Sequence, residues 1–217
     1  MRSDEDVRED VESELRWDPG LDATDIVVAV RDGAVTLTGF VKSCNEKWEA
    51  EDVAKRVAGV LGVANDLDVR LPSISQRPDP DIARDAVTTL LYELPDLIDD
   101  IKVVVKEGLV RLEGDVESHQ QRRHVARAVR RVRGIKGVIN TIKVSSPVAP
   151  EDIHQRIAEA LKRNALLEAA NIVVEANGNE VVLKGTVRSW AERKEADEAA
   201  WRAPGVLKVD NRITIAS

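Results

Sequence analysis

Ile26-Val27-Val28-Ala29-Val30-Arg31-Asp32-Gly33-Ala34-Val35-Thr36-Leu37-Thr38-Gly39-Phe40-Val41 decides the fold of this 217-residue chain, because its pattern is written three times. It returns as Ile101, Val103, Val105, Gly108, Val110, Leu112, Gly114 and Val116, and again as Ile172, Val174, Ala176, Val181, Leu183, Gly185 and Val187. The glycines lie 75 residues apart (Gly39 to Gly114) and then 71 (Gly114 to Gly185). A fixed period of this size marks tandem units of structure. Within each copy, β-branched residues alternate with the residues between them, the mark of half-buried strands. The links Arg31-Asp32-Gly33-Ala34, Lys106-Glu107-Gly108-Leu109 and Asn177-Gly178-Asn179-Glu180 read as hairpin turns, where glycine supplies a positive φ.

Upstream of each hairpin lies an amphipathic helix. Val7, Val11 and Leu15 share one helical face, as do Ile82, Ala86, Leu90 and Ile153, Ile157, Leu161. Asp79-Pro80 and Ala149-Pro150 precede the second and third of these, and proline is tolerated in a first turn because its missing N–H had no partner there. Downstream, Ser43-Cys-Asn-Glu46, Ser118-His-Gln-Gln121 and Ser189-Trp-Ala-Glu192 are capping boxes that predict a second helix. Gly59, Gly134 and Gly205 are expected to end it as left-handed caps. A last strand carries Val63, Asn65, Leu67, Val69, matched by Val138, Asn140, Ile142, Val144 and Val209, Asn211, Ile213, Ile215.

The order is therefore α-β-β-α-β in three tandem copies. Each is an α+β two-layer sandwich with two helices on a three-stranded sheet. The boundaries fall at 1–72, 73–147 and 148–217, joined by the short linkers LPSISQRPD (Leu71 to Asp79) and SSPVAP (Ser145 to Pro150). Units linked so closely are expected to touch.

These residues carry a family resemblance. The α-β-β-α-β order, the V-x-L-x-G-x-V strand and the helix ending in Gly before V-x-N-x-L/I-x-V resemble the BON domain, over nearly the whole chain. The resemblance implies a non-enzymatic bacterial module associated with phospholipid surfaces or with envelope and transport complexes under osmotic stress.

Composition bounds the rest. No stretch approaches the length of a membrane span. Met1-Arg2-Ser3-Asp4-Glu5-Asp6 is acidic and has no apolar segment behind it, so a cytoplasmic location is expected, or a periplasmic one if a leader has been removed. The single Cys44 excludes an internal disulfide. It fills a capping-box position that holds His119 and Trp190 in the other copies. His119, His124 and His154 have no counterparts between copies and no metal-ligand spacing, so they read as surface residues. No catalytic group, metal site or cofactor is expected. The runs Asp4-Glu5-Asp6 and Asp99-Asp100 read as solvated surface. The strand glycines are expected to admit a packed helix or a bulge, and Asn65, Asn140 and Asn211 to satisfy nearby backbone groups. Trp17, Trp48, Trp190 and Trp201 do not repeat, which points to packing between copies or to a protein partner.

Charge separates the copies. Residues 1–72 carry net −8, residues 73–147 net +2 and residues 148–217 net −1, which together make the −7 of the whole chain. The excess in the middle lies in one helix, with Arg122, Arg123, Arg127, Arg130, Arg131 and Arg133, followed by Lys136. Val125, Val129 and Val132 form its core stripe and place the arginines on the opposite arc. This arc is the candidate anion- or lipid-binding face. The alternatives are ion pairing with the acidic first copy and a structural, protein-binding role. A third is nucleic-acid binding through Gly134-Ile135-Lys136-Gly137, a KH-like G-x-x-G. With aromatics at 3% the strands lack stacking residues, which argues against nucleic acid.

Overall fold

A computed structural model of the chain describes residues 2–145, 153–163, 171–203 and 205–216. The first copy comprises α1 (Asp4–Trp17), β1 (Ile26–Arg31), β2 (Ala34–Val41), α2 (Cys44–Ala54) and β3 (Gly62–Val69). The second comprises α3 (Asp79–Glu93), β4 (Ile101–Lys106), β5 (Leu109–Val116), α4 (His119–Arg130), β6 (Gly137–Asn140) and β7 (Lys143–Val144). The third comprises α5 (Ile153–Arg163), β8 (Ile172–Asn177), β9 (Glu180–Val187), α6 (Trp190–Trp201) and β10 (Lys208–Ile215). The expected α-β-β-α-β order is present three times. Ala149-Pro150, most of the second linker and the boundary near residue 147 lie outside the described residues.

The chain forms two compact units. One joins the first two copies (Arg2–Val116 with Gln121–Lys143), and the other holds the third copy (Val144–Ser217) with Glu117–Gln120.

Each sheet has the middle strand of its copy at the centre. β1 runs antiparallel to β2 with Ile26 opposite Gly39, and β3 runs parallel to β2 with Ala34 opposite Gly62. A hairpin makes the first pairing; the crossover through α2 allows the second. The third copy repeats this register, with Ile172 opposite Gly185 and Val181 opposite Val209. In the second copy the last strand is interrupted. β6 ends at Asn140, Thr141 bonds Leu112 O through both its amide (2.9 Å) and its hydroxyl (2.7 Å), and β7 resumes at Lys143.

The helices cover one face of each sheet. Val7, Val11 and Leu15 pack with Val35, Leu37, Leu67 and Val53 in the first copy, all under 3% exposed. Ile82, Ala86, Leu90, Val110, Leu112, Val125, Val129 and Ile142 make the second core. Ile153, Ile157, Leu161, Val181, Leu183 and Ile213 make the third. Each fully buried Leu or Ile side chain contributes about 1.5–3 kcal/mol.

Four local expectations are corrected. The strand glycines admit neither a helix nor a bulge. At Gly39, Gly114 and Gly185, φ is +109°, +134° and +132°, and an added Cβ would collide with the carbonyl oxygens of Asp25, Asp100 and Asn171, just before the first strand of each hairpin.

Second, the helices stop earlier than Gly59, Gly134 and Gly205. α2, α4 and α6 end at Ala54, Arg130 and Trp201. The glycines sit in the following turn with φ of +92°, +96° and +90°. A Cβ at Gly59 would press on Val7 Cγ2 at 2.9 Å, and one at Gly134 on Arg77 Cβ at 2.9 Å.

Third, the capping serines accept from Glu46 N (3.1 Å) and Glu192 N (3.2 Å), but the glutamates reach one residue further back, to Lys42 N (3.0 Å) and Arg188 N (2.9 Å). α4 begins directly after Ser118.

Fourth, Asp4-Glu5-Asp6 is more than solvated surface. Ser3 and Asp6 form a full capping box, and the Asp4 carboxylate accepts from Asp32 N (2.8 Å) and Gly33 N (3.0 Å) of the hairpin. Asp79 does the same for Glu107 N (2.7 Å) and Gly108 N (3.0 Å).

Candidate functional site

α4 is the element that departs from its two counterparts, and the recurring contacts show which of its residues are free to differ. In every copy the strand asparagine ties the last strand to the second helix. Asn65 Nδ2 donates to Lys47 O (2.7 Å), Asn140 Nδ2 to Arg122 O (2.9 Å) and Asn211 Nδ2 to Arg193 O (3.4 Å). The basic residue returns the contact: Lys47 donates to Leu67 O (2.6 Å), Arg122 to Asn140 O (3.3 Å) and Arg193 to Asn211 O (3.0 Å). Arg122 is thus a framework residue with counterparts in both other copies.

The remaining basic residues occupy three settings. Arg127, Arg131, Arg133 and Lys136 are exposed; His124 and Arg127 follow one another along one line of α4, and Arg131 lies in the turn just beyond its end. Arg123 is half-buried. Arg130 is not on the open arc: its guanidinium lies 3.6 Å above the ring of Trp48 in α2. Burial pulls this guanidinium below its usual pKa, opposed chiefly by Cys44. The Cys44 thiol beside it is pushed up by its own burial, opposed by Trp48 and Arg130. The expected solvent-facing arc is therefore divided, because the first two copies pack into one unit and Arg130 is used in that packing.

A comparison along the three second helices explains the open face. Arg56, just beyond α2, pairs with Glu49 (3.2 Å) and Asp18 (3.5 Å); Arg202, just beyond α6, pairs with Glu195 (3.2 Å) and Glu198 (3.3 Å). Arg131 holds the same position just beyond α4, counted from the capping serine. There Glu49 and Glu195 are replaced by His124, and Asp52 and Glu198 by Arg127. A further acid that braces the strand asparagine, Glu51 (3.3 Å) or Asp197 (3.2 Å), is replaced by Ala126. Among the described residues, Arg127, Arg131, Arg133 and Lys136 have no ion-pair partner. Pairing of these four with the acidic first copy is thereby set aside.

The G-x-x-G reading finds no support in the geometry. Gly134 and Ile135 are buried, and the segment joins α4 to β6 instead of joining two helices. Trp17 is 83% exposed. Trp201 stacks on His119 with ring centroids 3.7 Å apart and planes at 15°, so His119 is not a bare surface histidine. The strand asparagines satisfy backbone groups as expected, whereas nothing in the sequence pointed to the Arg130–Trp48 contact or to the Asp4 and Asp79 clamps. Recurrence of the asparagines was the one available signal. No described helix is long and apolar enough to cross a membrane.

Comparison with known proteins agrees with the repeat. The BON domain pattern matches residues 3–70, 78–146 and 150–217. Osmotically-inducible protein Y of Escherichia coli (strain K12) is 36% identical over 127 residues, which make up 56% of this chain and 62% of that protein. The match thus spans less than two thirds of that relative's length. Two solved structures of CdsD, a structural protein of the type III secretion system of Chlamydia trachomatis, one of them its C-terminal domain, are 15% identical. They cover 97% and 100% of this chain and 92% and 100% of their own, each with a TM-score of 0.27. Since the three pattern matches take in nearly every residue, the chain belongs to the BON-domain family and carries three copies of the domain.

Proposed function

We propose that this chain is a non-enzymatic binding protein that associates with anionic phospholipid surfaces through α4 of its middle domain and the turn that follows it, under osmotic stress. The observation that carries this reading is the exchange of acids along α4. Arg131 stands where Arg56 and Arg202 are each held by two carboxylates, and its own neighbours are His124 and Arg127. A cation next to an anionic leaflet contributes about 1 kcal/mol. Arg127, Arg131, Arg133 and Lys136 together give weak, reversible binding that salt screens. A cytoplasmic chain would meet the anionic inner leaflet. The stress association comes from the resemblance to osmotically-inducible protein Y, and the absence of enzymatic activity from the family.

Flotation with vesicles of phosphatidylglycerol and phosphatidylcholine tests the reading. The chain is expected to float with the mixed vesicles at low salt, and to stay behind with phosphatidylcholine alone or at high salt. Arg127→Glu with Arg131→Glu should abolish flotation while leaving the folded structure intact. Undiminished flotation of this folded variant rejects the reading and favours a protein partner.

A further inference from the structure

Within the unit formed by the first two domains, a cleft of about 310 Å³ opens between them. Its walls are Lys42 to Asn45 around the start of α2, Leu71 and Ser75 of the linker, and Arg130 to Ile135 at and beyond the end of α4. Among the described residues no carboxylate lines it. In this it differs from the neighbouring concavities, one walled by Asp22, Asp25 and Glu46 and the other by Glu12 and Asp22.

Four cations reach the cleft: Lys42, Arg130, Arg131 and Arg133. Lys42 is paired with Asp22. Arg131 and Arg133 have no ion pair among the described residues. Arg130 is partly desolvated, held by the face of Trp48, and its Nε–H is screened from solvent with no acceptor. Asp52 and Glu51 act on it only from beyond ion-pair distance, and a partly desolvated guanidinium without a direct partner is costly unless an anion neutralises it. Ser43, Asn45 and Ser75 add short polar side chains at the rim, and the positive end of the α2 backbone faces the same space.

We propose that this cleft is a binding site for a phosphate-class anion, either inorganic phosphate or a phosphate monoester. Guanidinium groups match the oxygens of such an anion in pairs, and several cations around a small concavity suit a compact dianion better than a single carboxylate. The cleft shares Arg131 and Arg133 with the vesicle-binding face but not Arg127 or Lys136, which are not among its walls.

Calorimetric titration of the full chain with inorganic phosphate, and separately with glycerol phosphate, is the test, with chloride held constant. Saturable binding is expected. Arg131→Gln combined with Arg133→Gln should weaken it about tenfold or more, as loss of charge-assisted contacts does, whereas Arg127→Gln should leave it unchanged. If the anion belongs to a lipid headgroup, the double variant will instead lose binding to vesicles containing phosphatidic acid while both soluble phosphates fail to bind; this outcome also supports the site. The proposal is overturned if neither soluble phosphate nor phosphatidic acid binds, if the double variant binds as well as the parent, or if Arg127→Gln weakens binding equally. The last result would mean diffuse attraction without a site. Soluble phosphate binding does not depend on flotation with phosphatidylglycerol, so either reading can fail alone.

Discussion

The guanidinium of Arg130 lies 3.6 Å above the indole of Trp48, joining the end of α4 to α2 of the preceding domain. A cation over a tryptophan face contributes about 0.5–2 kcal/mol, the upper end when the pair is desolvated. Trp48→Ala should therefore destabilise the first two domains by more than that, because it also exposes apolar surface. Arg130→Ala should cost less, since it removes a desolvated charge. A double-mutant cycle in urea should return a coupling of about 0.5–2 kcal/mol. Additive losses would mean that the stacked pair contributes nothing beyond burial.

Gly114→Ala should be among the most damaging single-methyl additions in the chain. Its φ of +134° strains any other residue, and the new Cβ would collide with Asp100 O. The strain alone costs about 1–3 kcal/mol, and the collision forces the hairpin away from the turn before it. Gly62→Ala is the control, because nothing lies within 4 Å of a Cβ there. Thermal unfolding should show a large drop for the first variant and a small one for the second. Equal drops would refute the close-approach account.

Asn140→Ala should destabilise the middle domain by about 1–3 kcal/mol. It leaves Arg122 O and Ile142 N without the partners they have at 2.9 Å and 3.1 Å. Asn140→Asp is the sharper variant: it keeps the acceptor for Ile142 N and loses the donor to Arg122 O. Denaturant midpoints for the two should fall in the order alanine, aspartate, parent. A parent-like alanine variant would show that the asparagine bonds are dispensable.

Cys44 sets an alkaline limit. Burial raises its pKa in the folded state, so its contribution is complete below the unfolded thiol value and is lost as pH rises towards the raised folded one. Native protein at mildly alkaline pH should resist iodoacetamide, and the thiol should react on unfolding. Cys44→Ser should remove this alkaline sensitivity. On the acid side, the Lys42 ammonium and Thr24 hold the Asp22 carboxyl below its usual range. That contribution is present above the unfolded value and fades as pH falls through the lowered one. Asp22→Asn should flatten the acid limb of a stability–pH curve; an unchanged limb counts against the pairing.

The repeat, the alternating strands of Ile26 to Val41 and the faces Val7-Val11-Leu15 and Val125-Val129 were readable from the sequence because they are local. Strand alternation and helix periodicity place residues on faces by geometry within a few positions. The three internal copies separated what recurs from what is particular, so Asn65, Asn140 and Asn211 pointed to framework and the arginines of α4 to something else. What no spacing contained was which distant groups meet. Gly39 needs its missing side chain because Asp25 O approaches from the turn before β1, a contact the hairpin register decides. Arg130, read as part of an open arc, rests on Trp48 because two domains share one unit, and the same packing shapes the cation-lined cleft beside it. Periodicity assigns a residue to a face; only the packing of whole elements decides whether that face meets water, a ring or a carbonyl oxygen.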